Sequence, residues 1–188
     1  MGMHNRISCR LKRAPIPIAA FVVGMLLIAD TPAAQGDFAG LVDIGGGRRI
    51  YLECRGTGRP TVVLEAGYRG SARFWSDDLR QAGAPRTMVL AGVSGFTRVC
   101  VYDRPGTVAS LKDIVRPSRS DPVPQPRTAR DAVAYLHTLL LSAGVPGPYV
   151  LAGHSLGGLF VRLYASTYPL TSSASSSLTP IPKGWRRC

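Results

Sequence analysis

From Leu41 onward, hydrophobic and polar positions recur with two different periods, and the switches between them mark the elements. Arg49-Ile50-Tyr51-Leu52-Glu53-Cys54 alternates with period two, the spacing of a half-buried strand. Leu41 to Ile44 precedes it across Gly45-Gly46-Gly47, which predicts an opening hairpin. Thr61-Val62-Val63-Leu64-Glu65-Ala66 and Thr97-Arg98-Val99-Cys100-Val101-Tyr102 are β-branched runs that read as buried strands, the second ending at the turn signal Asp103-Arg104-Pro105-Gly106. The spacing becomes helical over Ser71 to Gln81, with Ser71 as N-cap and Phe74, Trp75 and Leu79 on one face. It is helical again over Ala129 to Ala143, where Thr128 caps and Ala132, Leu136, Leu139 and Leu140 face inward. Residues 107–126 show neither period and hold Pro117, Pro122, Pro124 and Pro126, which predicts a surface loop. A hairpin followed by alternating strands and helices predicts an α/β fold, a mostly parallel sheet with flanking helices.

The most informative stretch is the next strand-to-helix junction. Pro148-Tyr149-Val150-Leu151-Ala152 leads into Gly153-His154-Ser155-Leu156-Gly157, and Leu159 to Ala165 continues with helical spacing. A serine at the apex of such a turn needs neighbours two residues away on either side with almost no side chain. Gly153 and Gly157 meet that demand. The serine hydroxyl then projects above the sheet, and the Leu156 N–H at the new helix's start can face a developing oxyanion. Ser155 is therefore the candidate nucleophile.

Composition changes this picture at the two ends. Of the net charge of +12, residues 1–34 and 171–188 carry about half. The remaining arginines are scattered and not interleaved with aromatic residues, so no nucleic-acid partner is expected. Arg6, Arg10, Lys12 and Arg13 precede the apolar segment Ile16 to Ala29, and small residues follow at Thr31-Pro32-Ala33-Ala34. Residues 1–34 thus read as a signal peptide or an N-terminal anchor, with membrane association through the apolar segment and a secreted or cell-envelope location. An oxidising compartment would let Cys54 and Cys100 pair; two inert buried thiols are the alternative, and spacing does not decide between them. The three histidines, His4, His137 and His154, are not spaced with cysteines or carboxylates for a metal site, and no cofactor is expected. Thr171-Ser172-Ser173-Ala174-Ser175-Ser176-Ser177 opens a low-complexity stretch, so residues 171–188 are expected to be disordered.

Three motifs in this order resemble the α/β-hydrolase family, in particular its exported actinobacterial esterase- or lipase-like members: Leu64-Glu65-Ala66-Gly67-Tyr68, Val101-Tyr102-Asp103-Arg104-Pro105-Gly106 and Gly153-His154-Ser155-Leu156-Gly157-Gly158. The resemblance covers about residues 38–170 and implies the N-terminal part of an α/β-hydrolase fold with its C-terminal strands missing. It implies two-step acyl transfer by Ser155 on a carboxylic ester or related small-molecule acyl substrate, with the N–H groups of Tyr68 and Leu156 as the oxyanion hole. It also implies that the strands of Cys54 and Cys100 are neighbours, which favours their disulfide. The family's acid and histidine follow the serine, yet no Asp, Glu or His follows Ser155 in these 188 residues. Upstream, His154 is expected to pack beneath the turn, His137 to sit mid-helix away from Ser155, and Asp103 to fix its own turn through Arg104. Impaired catalysis is the expectation, together with a truncated or frame-shifted reading of a longer hydrolase and an exposed apolar edge on the strand ending at Leu151. A second reading stays open: a non-catalytic exported remnant that binds an acyl ligand or a partner. The aromatic residues Tyr68, Phe74 and Trp75 near the expected oxyanion loop suggest an apolar acyl pocket, although such residues are more often ordinary core.

Overall fold

A computed structural model describes residues 36–78, 86–111, 114–124 and 127–177. The predicted signal or anchor at 1–34 lies outside them. Among the described residues, no helix is long and apolar enough to cross a membrane.

β1 (Phe38–Asp43) and β2 (Arg49–Arg55) form the opening hairpin, paired antiparallel with Phe38 opposite Cys54. Its turn closes with Ile44 N–H donating to Arg48 O at 2.9 Å, and it needs glycine because Gly45, Gly46 and Gly47 all take positive φ. β3 (Thr61–Glu65), the single-turn α1 (Arg73–Ser76), α2 (Val89–Ser94) and β4 (Val99–Tyr102) follow. A small antiparallel hairpin, β5 (Val108–Leu111) and β6 (Ile114–Pro117), then precedes α3 (Ala129–Ser142), β7 (Tyr149–Gly153) and α4 (Leu156–Thr167). A 3₁₀ turn, Pro169–Thr171, leads into β8 (Ser172–Ser177).

The main sheet has the order β1-β2-β4-β3-β7-β8, with β4, β3, β7 and β8 mutually parallel. Because side chains alternate across a strand, β4 feeds both faces. Cys100 and Tyr102 join the core under α3 and α4, with Ile50, Leu52, Val63, Leu136, Leu139, Leu140, Leu151 and Val161. Val99 and Val101 join the opposite core, with Leu64, Ala72, Trp75 and Leu90. The sheet is thus covered on both sides, as parallel strands require. α3 starts at a capping box: Thr128 accepts from the Asp131 N–H, and Asp131 accepts from the Thr128 N–H. Cys54 and Cys100 stand opposite one another on antiparallel β2 and β4 and are joined by a disulfide.

Four expectations are corrected. Ser71 does not cap a helix running to Gln81: the helical turn is Arg73–Ser76, Asp77 is already extended, and residues 79–85 lie outside the described set. Phe74 and Trp75 do not share a face, being 39% and 2% exposed respectively. Residues 107–126 are not all loop, since β5 and β6 pair within them and Ser118 N–H closes on Thr107 O at 2.9 Å. Residues 171–188 are not disordered throughout, and the sheet does not stop at β7. Ser172–Ser177 pairs parallel to Tyr149–Gly153, so the strand ending at Leu151 lies inside the sheet rather than at its edge. The pairing rests on backbone groups, which a serine run supplies as well as any other sequence. Residues 178–188 lie outside the described set.

Candidate active site

Parallel β3, β4 and β7 end at one edge of the sheet, and each delivers one motif there. β7 ends at Gly153, and Ser155 stands at the N-cap position just before α4, at φ 53° and ψ −120°. A non-glycine residue in the left-handed region costs of order 1–3 kcal/mol and persists only where its surroundings enforce it. Here the enforcement is close packing. A Cβ on Gly153 would sit 2.5 Å from the Gly157 carbonyl carbon and oxygen, and one on Gly157 would strike the Glu65 carbonyl oxygen and sit 2.8 Å from that of Ala66. His154 N–H donates to Glu65 O at 3.0 Å, tying the turn to the end of β3. Ser155 is exposed, and among the described residues neither the Leu156 nor the Tyr68 N–H has an acceptor.

β3 delivers the loop 66–72. Gly67 lies against the serine: a Cβ there would be 3.2 Å from Ser155 Cβ and 2.9 Å from His154 Nδ1. Tyr68 is 75% exposed and Trp75 is core, so the predicted aromatic group divides. Phe74 stacks on the His154 ring with centroids 4.6 Å apart. The His154 ring is thus held beside the turn rather than beneath it, with Nδ1 shielded from solvent and without a partner.

β4 delivers Asp103 and Arg104, whose roles sequence reasoning did not find. Arg104 is buried; it donates to the Glu65 carboxylate, to Ala66 O at 2.5 Å and to Gly67 O, and its guanidinium lies 5.1 Å above the Phe160 ring. Tyr102 donates its hydroxyl to the other Glu65 oxygen. Burial pushes the Glu65 carboxyl up, while the Arg104 charge and the Tyr102 and Arg104 hydrogen bonds pull it down. Burial and the Glu65 charge keep the Tyr102 phenol protonated, as a donor must be. Asp103 does not close its own turn through Arg104. Its carboxylate accepts from Ala72 N–H at 2.9 Å and, in a two-pronged pair, from Arg119 Nε at 2.8 Å and Nη2 at 3.0 Å. Burial alone would raise Asp103, and the Arg119 and Ala72 bonds outweigh it and hold the carboxyl below its ordinary value.

His137 belongs to another part of the molecule. Its Nδ1 lies 3.0 Å from the hydroxyl of Tyr164, near the end of α4, and its ring stacks at 3.7 Å on Tyr168, just past that end. Burial lowers its pKa. The unfolded chain therefore takes up a proton near pH 6.5 that the folded chain resists, and stability falls as pH drops below that value. His137→Gln should flatten the decline in denaturant midpoint between pH 7 and pH 5; an unchanged slope would show a solvated ring. Among the described residues, no histidine or carboxylate hydrogen-bonds to Ser155.

A family model described as "Alpha/beta hydrolase family" matches residues 62–187. Among curated proteins, "Putative carbamate hydrolase RutD" of Azorhizobium caulinodans is 31% identical over 143 residues, covering 76% of this chain and 44% of that protein. The chain thus spans less than half of that relative's length. Among solved structures, an alpha/beta hydrolase from Novosphingobium aromaticivorans superposes with a TM-score of 0.57 at 21% identity, covering 76% of this chain and 44% of that one. The haloalkane dehalogenase DatA from Agrobacterium tumefaciens gives 0.56 at 19%, covering 77% and 42%. At these identities the structural matches speak for the fold.

Proposed function

The chain belongs to the alpha/beta hydrolase family, and from that premise we propose that it is a serine hydrolase acting on carboxylic esters or related acyl compounds. The observation that carries the reading is Ser155 held at φ 53° on the strand–helix turn, an exposed hydroxyl kept in a strained backbone by two glycines. A serine of purely structural use would relax. In this reading Ser155 Oγ attacks the acyl carbonyl, and the N–H groups of Leu156 and Tyr68 receive the oxyanion, each worth about 3 kcal/mol in the transition state. With no base at the serine among the described residues, turnover on these residues alone is limited to what oxyanion stabilisation and binding supply, roughly 10³–10⁴-fold over water.

An alkyl fluorophosphonate tests this directly. Ser155 Oγ displaces fluoride at phosphorus, its proton passing to solvent, and leaves a stable adduct. One adduct at Ser155 is expected, lost in Ser155→Ala. Ser155→Gly should also abolish labelling and yet raise stability by about 1 kcal/mol, because glycine relieves the left-handed strain. Folded wild-type protein without adduct at Ser155 would sink the proposal.

A further inference from the structure

We propose that Arg104 is the positioning residue of the oxyanion donor on loop 66–72, assisted by Asp103; this rests on the serine-hydrolase reading. The argument starts from the peptide bond. The Gly67 carbonyl and the Tyr68 N–H belong to one planar, trans unit, so holding the oxygen fixes the direction of the hydrogen on its far side. That oxygen is held twice, by Arg104 Nη2 and by the Gly70 N–H at 3.1 Å. The preceding oxygen, on Ala66, accepts from Arg104 Nη1, so two consecutive peptide planes are gripped by one rigid guanidinium.

The other end of the loop is anchored by the neighbouring residue. Asp103 accepts the Ala72 N–H and is itself fixed by Arg119. Adjacent side chains at the end of β4 thus hold both ends of the loop, while the residues at its tip, Tyr68 and Arg69, are exposed, and Arg69 takes φ 56°. Glu65 in turn fixes the guanidinium from below. An oxyanion donor works only if it is in place before charge develops, and a misplacement of about 1 Å costs on the order of a hundredfold.

Two variants separate positioning from folding. Arg104→Lys keeps a cation for Glu65 and loses the fork that spans two carbonyls. The double variant Glu65→Gln/Arg104→Met removes both buried charges together, which spares the fold an unpaired ion. In each, fluorophosphonate labelling of Ser155 should show kinact reduced at least tenfold with KI little changed. Amide hydrogen exchange should quicken at Gly70, whose N–H closes on the Gly67 oxygen, while Ala72, still held by Asp103, and β3, β4 and β7 stay protected. Unchanged kinact in either folded variant overturns the proposal, and so does slowed labelling with unaltered exchange in the loop. If wild-type protein is not labelled at all, the hydrolase reading fails first and this one with it, a result visible before any variant is made.

Discussion

Glu65→Ala is expected to destabilise the protein by about 4 kcal/mol at pH 7, and Arg104→Met by distinctly less. The two share one ion pair, yet they leave different groups behind. Glu65 is 1% exposed, and its loss strands the Arg104 guanidinium, which cannot shed its proton, among backbone carbonyls and the Phe160 ring. Breaking a buried pair from one side typically costs about 3–5 kcal/mol, and the cavity left by the side chain adds to it. Loss of Arg104 strands a carboxyl instead, and burial already pushes that carboxyl toward its neutral form. It takes up a proton and keeps the Tyr102 hydroxyl as partner. The cost of Arg104→Met should therefore shrink further as pH falls from 7 to 5, while that of Glu65→Ala should not shrink, because a carboxyl whose folded pKa is raised stabilises the fold more at lower pH. Urea unfolding of both variants at the two pH values checks this; equal costs with equal pH dependence would show that the pair is not desolvated as a unit.

The elements that sequence showed clearly are those whose signal is local. The alternation in 49–54, the glycine turn at 45–47, the Thr128 cap and the Gly153–Gly157 turn each lie within a few residues of the structure they specify. α2 left no such mark: it is six residues long, contains Gly92 and begins after Met88 without a side-chain cap. β8 was hidden for a different reason. A serine run has no hydrophobic pattern, and its order comes from the open backbone groups of β7, which accept any extended partner.

The site divides in the same way. Ser155 and its glycines were legible because strain at one residue dictates its neighbours. Asp103 and Arg104 looked like a turn signal, and turn signals usually act locally. Besides Arg119, 16 residues on, their real partners are Glu65 at the end of β3 and Ala66, Gly67 and Ala72 in the loop after it, 31 to 39 residues away, which only the parallel pairing brings alongside. No spacing rule carries that information. The aromatic trio split for a related reason: Trp75 has a strand face to pack on, whereas Tyr68 sits on a loop held by its backbone.

Gly157→Ala is expected to cost about 3 kcal/mol and to slow Ser155 labelling by more than the loss of stability explains. Its φ is not in the left-handed region, so strain is not the cause; space is. The added methyl would run into the Glu65 carbonyl oxygen, lie 2.8 Å from the Ala66 oxygen and 3.0 Å from the Glu65 carbonyl carbon, all of it backbone. Overpacking of this kind costs about 1–3 kcal/mol when side chains can shift, and backbone yields less readily. Relief must come from α4 moving away from the end of β3. That motion separates Leu156, the first residue of α4, from Gly67 and Tyr68, so the two proposed oxyanion donors part by a few tenths of an ångström at least. An alanine at Gly92 offers the contrast, since its Cβ meets only the Thr87 methyl at 3.6 Å. Gly92→Ala should fold at least as stably as wild type and label at the wild-type rate. Calorimetry and labelling rates on folded Gly157→Ala separate the two effects: a wild-type kinact at reduced stability would mean that the donors do not move with the helix, and that the close approach at Gly157 serves packing alone.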